Sequence, residues 1–208
     1  MPTRIDMSTY ARRAHFAYFL KMGYPYVGNT AEIDVTPLYV RAKERGESFF
    51  LHVLYAAGRA ANDVPELRQR IEGNGILQFE HCLTSHTEMK PDGTYAYCEA
   101  DPGLAWDDFY PQTLARQVQA RAQGTIQEDG DVLDKFFVSC APWVHYTALI
   151  QPVPFPADSN PRISWGKYVN RDGRIQMPVT LLAHHGLVDG MHIGRFYQAL
   201  EARIQEEP

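Results

Sequence analysis

Two adjacent histidines, His184 and His185, close an apolar run in "LLAHHGLVDGMHIGRF", and Asp189 stands four residues after the second. An imidazole titrates near neutral pH. With one ring nitrogen tied to a carbonyl, the other can serve as a general base. A second chemistry is metal binding, but zinc takes three or four ligands. The next nearby ligand, His192, falls within a helix, and no acidic or cysteine partner stands at motif spacing. A third reading is structural: a satisfied core histidine followed by an ordinary helix cap. The spacing by itself leaves these readings open.

The elements that hold these residues can be read outward from them. "RIQMPVTLLA" predicts a strand ending at Ala183. A helix begins near Gly190, with Ile193, Phe196, Leu200 and Ile204 on one stripe. Asp189 then falls at the N-cap, where its carboxylate can accept backbone N–H bonds. Successive strand residues point to opposite faces, so the two histidines cannot share one job. One faces the inside of its own subunit and the other faces outward.

Upstream, "NRDG" joins "RISWGKYV" to that strand as a hairpin. "KFFVSCAPWVHYTALIQPV" reads as a buried strand, and residues 152 to 161 hold four prolines and form a loop. "GILQFEHCLTSHTEM" and "TYAYCEA" flank Pro91-Asp92-Gly93 as a second hairpin. "DFYPQTLARQVQARAQG" predicts a helix with Pro111 in its first turn. "SFFLHVLYAAGRAANDVPELR" predicts a helix from Ser48 to the break at Asp63-Val64-Pro65. Thr36 is expected to cap an earlier helix that ends near Gly46, after a strand around Ile33 and Val35. "STYARRAHFAYFLKM" is a helix, or an extended lead-in followed by one. The order implies an α+β fold, a mixed sheet with helices packed on one face, in a single domain over residues 1–208.

Composition narrows the classes of function. The chain has 208 residues, 45% hydrophobic and with a net charge of −5, which argues against a nucleic-acid partner. Charges are mixed in sign, apart from a short acidic end at Glu206-Glu207. No apolar run approaches the ~18 residues of a membrane span, and the first 25 residues lack a signal peptide's apolar core. The three cysteines, Cys82, Cys98 and Cys140, lack CxxC spacing. They suggest free, mostly structural thiols and a cytoplasmic home.

"HHGLVDGMHIGRF" resembles HHxxxDGxHxxRF, the signature of the type A, trimeric chloramphenicol acetyltransferases. HxxxDG also occurs in the acyltransferase domains of 2-oxoacid dehydrogenase complexes. The rest of the chain favours the former. "RRAHFAYF", "IDVT", "FFLHVLYAAGRAANDVPELR", "FFVSCAPWV", "GKY" and "MPVTLLAHH" follow in the family's order. The length is also expected to leave no room for a lipoyl or subunit-binding segment. The resemblance implies a coenzyme-A-dependent acyltransferase fold, a homotrimer with active sites between subunits, and acetyl-CoA as co-substrate with no permanently bound cofactor or metal.

Residue by residue, the resemblance implies that His185 is the general base and His184 is structural. His185 would deprotonate an acceptor hydroxyl for direct attack on the thioester in a ternary complex. Asp189 matches a structural aspartate paired with an arginine, here Arg12. Ser164 matches a threonine that helps through water. Tyr168 and Lys167 match the cofactor side. Tyr18, Phe19, Gly23, Pro25, Val27, Thr84 and Tyr95 match the acceptor pocket. One position departs from the pattern. The family's oxyanion serine after Pro-Trp-Val falls on Ala148, which has no hydroxyl. Its neighbour Thr147 would face the other side of a strand. A one-residue slip, a bulge that turns Thr147 inward, or another donor would each resolve this. Three functions follow: chloramphenicol O-acetyl transfer, acyl transfer to a different hydroxyl or amine, or a catalytically weak trimer that binds small apolar ligands.

Overall fold

The computed structural model describes residues 1–127 and 131–206, so Glu207 of the acidic end lies outside them. The chain runs β1 (Thr3–Arg4), α1 (Arg13–Phe19), β2 (Tyr26–Asp34), α2 (Thr36–Arg45) and α3 (Phe49–Asn62). A short 3-10 turn over Pro65–Arg68 leads to β3 (Gln69–Glu72), β4 (Gly75–Gln78), β5 (Leu83–Met89), β6 (Tyr95–Ala100) and α4 (Trp106–Gln123). Then come β7 (Lys135–Ala141), β8 (Arg162–Gly166), β9 (Val169–Arg171), β10 (Arg174–His184) and α5 (Gly190–Gln205).

Seven strands form the main sheet in the order β2-β10-β8-β7-β5-β6, with β9 pairing β10, and β1-β4-β3 form a smaller one. β7 runs parallel to β5 and β8 while the other pairings are antiparallel, so the sheet is mixed as expected. Alternation gives its faces different tasks. His86, Val138, Ile163 and Leu181 lie across from one another in register, as do Trp165 and Val179, and all six are buried. The ring of Phe50 from α3 packs on His86 and Trp165, and Gln117 from α4 reaches His86. The helices therefore cover this face. The opposite face carries a row of hydroxyls, Ser139, Ser164, Thr180 and Thr30, in register across four strands.

The predicted turns match their chemistry. Arg171 pairs with Arg174 across a two-residue turn, and Asp172 and Gly173 both have positive φ, at 52° and 85°. That is the hairpin geometry Asp-Gly favours. Gly46 ends α2 in the left-handed conformation. The α5 stripe is buried as expected, and Phe196 has no exposed surface.

Four expectations need correction. Thr36 is the first residue of α2 rather than its cap, and Asp34 accepts hydrogen bonds from its N–H and hydroxyl. α4 starts at Trp106, because the buried indole packs against His52 and Phe109, so Pro111 lies inside the helix. "GILQFEHCLTSHTEM" divides into β4 and β5, which belong to different sheets. The strand opened by Lys135 stops at Ala141, since Pro142 has no N–H for the ladder. The following residues run over the open face instead, where Lys167 donates its N–H to the Val144 carbonyl and Tyr146 meets Thr180.

Truncating Phe196 to alanine is expected to cost about 3–5 kcal/mol, measured by urea unfolding. Burial pushes His86 down to about 3, so the folded state keeps it neutral where the unfolded chain takes up a proton. Its contribution is complete above about pH 6.5 and is lost as the pH falls towards 3. His86→Leu should flatten the melting temperature over that range, and an unchanged slope would refute the assignment.

Candidate active site

His184 ends β10, and the chain then turns into α5 across a tight loop. His184 is buried, its Nδ1 accepts the N–H of Gly186 at 3.1 Å, and the Tyr26 ring packs edge-on against it. Burial pushes it down to about 4, so it is neutral at physiological pH. His185 is half-buried, and its N–H is donated to the Pro25 carbonyl at 2.7 Å. Its Nδ1 lies 2.8 Å from the Val188 carbonyl, which can only accept, so Nδ1 carries the proton. In the neutral ring, Nε2 is then the nitrogen with the free lone pair. Phe19 stacks on the imidazole with centroids 3.9 Å apart and planes 19° apart. The ring is held by a hydrogen bond at one edge and a flat aromatic surface on one face.

Asp189 binds this loop to both termini of the fold. Its Oδ1 accepts the Met191 N–H at 3.0 Å, and its own N–H is donated to His192 Nδ1 at 3.0 Å. This is a capping box with histidine in the place usually held by Glu or Gln. Its Oδ2 pairs with Arg12, whose second amino group reaches the His185 carbonyl at 3.0 Å. Partial burial alone would raise the Asp189 carboxyl. His192, the Met191 N–H and Arg12 outweigh that and hold it below the usual carboxylate range.

Two cavities lie away from this platform. The first, of about 790 Å³, is walled in part by Phe49, Trp143, Trp165, Lys167 and Tyr168. The second, of about 500 Å³, lies on the open face and includes Ser85, Phe137, Leu149, Gln151, Arg162 and Ser164. Thr87, Tyr95 and Ser139 belong to both. The cause is in the sheet: β5 and β7 pair only as far as His86 and Val138, though each continues three residues further. The strands part there, and the gap joins the helix side to the open side. Ser164 is buried in the second cavity's wall, where its Oγ accepts an N–H from Gln151 at 3.0 Å.

The residues expected from the sequence thus fall into three places. His185, Arg12, Asp189, Phe19 and the exposed Tyr18 form one platform, with Pro25 beneath it. Ser164, Tyr95, Tyr168 and Lys167 line the cavities. Thr84 and Val27 belong to the core instead. Thr84 is fully buried beneath α3 at Gly58, its hydroxyl donated to the Ala100 carbonyl, and Val27 packs into the core on the helix side with Ala31 and Ile33. Gly23 is exposed, with open space around it. Cys82 and Cys98 are buried, whereas Cys140 lines the first cavity. Among the residues not anticipated, Gln151 had one sequence signal, a lone amide in the apolar, proline-rich "TALIQPVPFP".

His185 lines neither cavity. Tyr168 precedes Val169, which pairs with Gln176 near the start of β10, whereas His185 follows its last residue. The nine steps from Gln176 to His185 span about 30 Å of extended chain.

A model of the chloramphenicol acetyltransferase family matches residues 2–201. Chloramphenicol acetyltransferase 2 of Escherichia coli is 26% identical over 208 residues, covering 96% of this chain and 95% of the relative. The Haemophilus influenzae protein of the same name is 25% identical, with the same shares covered. A solved chloramphenicol acetyltransferase superposes with a TM-score of 0.84 at 28% identity, covering 99% of this chain and all of the other. The truncated catalytic core of a Thermoplasma acidophilum 2-oxoacid dehydrogenase complex shares the fold, with a TM-score of 0.70 at 16% identity over 95% of this chain and 96% of that one. With the match spanning nearly its whole length, the chain belongs to the chloramphenicol acetyltransferase family.

Proposed function

We propose that this chain is an acetyl-CoA-dependent O-acetyltransferase of the type A kind, with chloramphenicol as acceptor and His185 as general base. The observation that carries this reading is the fixed tautomer of His185, with Nδ1–H on the Val188 carbonyl and Nε2 free to take a proton. The acceptor oxygen attacks the thioester carbonyl carbon as Nε2 takes its proton. A C–O bond forms, the C–S bond breaks, and the proton passes from Nε2 to the departing sulfur. His184, buried and neutral, serves the fold.

The two cavities suit two substrates arriving from opposite faces of the sheet. The first, flanked by Tyr168 with Lys167 and Arg121 at its edge, has room for the pantetheine arm and acyl group. The second would take the acceptor. The distance between His185 and the Tyr168 end of β10 supports a site completed by a second copy, and hence the homotrimer. The exposed Trp143, Val144, Ile150 and Phe155 offer apolar surface for that contact. No described helix is long and apolar enough to cross a membrane, and we place the enzyme in the cytoplasm. Ala148 favours a second reading, the same reaction with another hydroxyl or amine acceptor.

Free thiol released from acetyl-CoA plus chloramphenicol tests the first reading, and no release above background would reject it. Release with a different acceptor alone would establish the second. His185→Ala should lower kcat roughly 10²–10⁴-fold with little change in acceptor affinity. Mixed assemblies test the shared site. His185→Ala and the cavity-blocking Ser139→Trp, each inactive alone, should regain about a quarter of wild-type activity when refolded together. No recovery would place the whole site within one chain.

A further inference from the structure

We propose that Gln151 and Ser164 together supply the oxyanion donors of the reaction, in place of the hydroxyl missing at Ala148. This rests on the acetyl-transfer reading above. Neither Ala148 nor Thr147 lines either of the two cavities described above. Both are exposed, and the segment they occupy is not a strand, so no bulge turns Thr147 inward. Leu149 and Gln151 form the wall instead. Pro152 follows Gln151 and restricts its backbone towards extended conformations, which limits where the amide can lie.

The hydrogen-bond inventory gives the direction of the donors. The Gln151 amide gives one N–H to Ser164 Oγ at 3.0 Å. In that bond the Ser164 hydroxyl only accepts, so its own proton is not spent on Gln151 and is left to give to another acceptor. The amide has a second N–H to give as well. Both side chains border the same cavity of about 500 Å³, beside Tyr95 and Thr87. Two polarised donors on atoms 3.0 Å apart thus stand where a small anionic oxygen can bridge them. As the acceptor oxygen adds to the thioester carbon, the carbonyl π pair moves onto oxygen, and these donors receive that charge. When the C–S bond breaks the pair returns, and the donors release it. Donors of this kind act through charge that exists only in the transition state, so they raise kcat rather than tighten binding.

The test uses the full chain, acetyl-CoA and the acceptor that releases thiol with wild type. Gln151→Ala should lower kcat roughly 10²–10³-fold and leave KM for acetyl-CoA within about twofold. Gln151→Glu keeps the size, but its carboxylate can only accept. Its rate relative to wild type should rise as the pH falls and the side chain becomes an O–H donor, a trend a merely structural role would not produce. A Gln151→Ala kcat within about threefold of wild type, while His185→Ala is inactive, would overturn the donor pair alone. So would a raised KM with kcat unchanged, or a pH-independent Gln151→Glu ratio. Wild-type activity in His185→Ala would remove the base and the donor pair together.

Discussion

The Asp189 carboxylate is the point on which the site depends. One oxygen takes the orphaned N–H of Met191 in α5, and the other takes the Arg12 guanidinium, which in turn grips the His185 carbonyl. A helix, the start of the chain and the loop that carries His185 are therefore fixed by one group. An N-cap contributes about 1 kcal/mol, and an ion pair as open to solvent as Arg12–Asp189 adds about 1 kcal/mol. Together these contacts hold the loop that carries His185. The spacing Asp-Gly-x-His has the same origin: His192 sits three residues into the helix because its Nδ1 must accept the Asp189 N–H.

The features that could be read from the sequence were those set by local physics. Asp172-Gly173 announced its turn because both residues must take positive φ. The stripe of α5 announced its buried face, and alternation alone required His184 and His185 to differ. What could not be read was set by distant partners. Trp106 begins α4 because it meets His52, and no local rule contains that contact. Thr84 matches a pocket position by motif, yet Gly58 lets α3 lie close above it. Gln151 gained meaning only when Ser164, thirteen residues away, was folded against it.

The sheet divides labour by parity. Residues of one parity hold the helices, and those of the other form the hydroxyl row on the open face. Where β5 and β7 separate, the division opens into a passage lined by Thr87 and Ser139. The irregular connection from Pro142 to Pro161 is part of the same arrangement. Loops of that length without secondary structure usually have a function, and this one provides the walls of both cavities.

That connection also leaves Trp143, Val144, Ile150 and Phe155 facing water on a lone chain. During synthesis these side chains emerge before α5 exists to complete the core beneath them. A newly made chain is thus adhesive, open to any hydrophobic surface that it meets first.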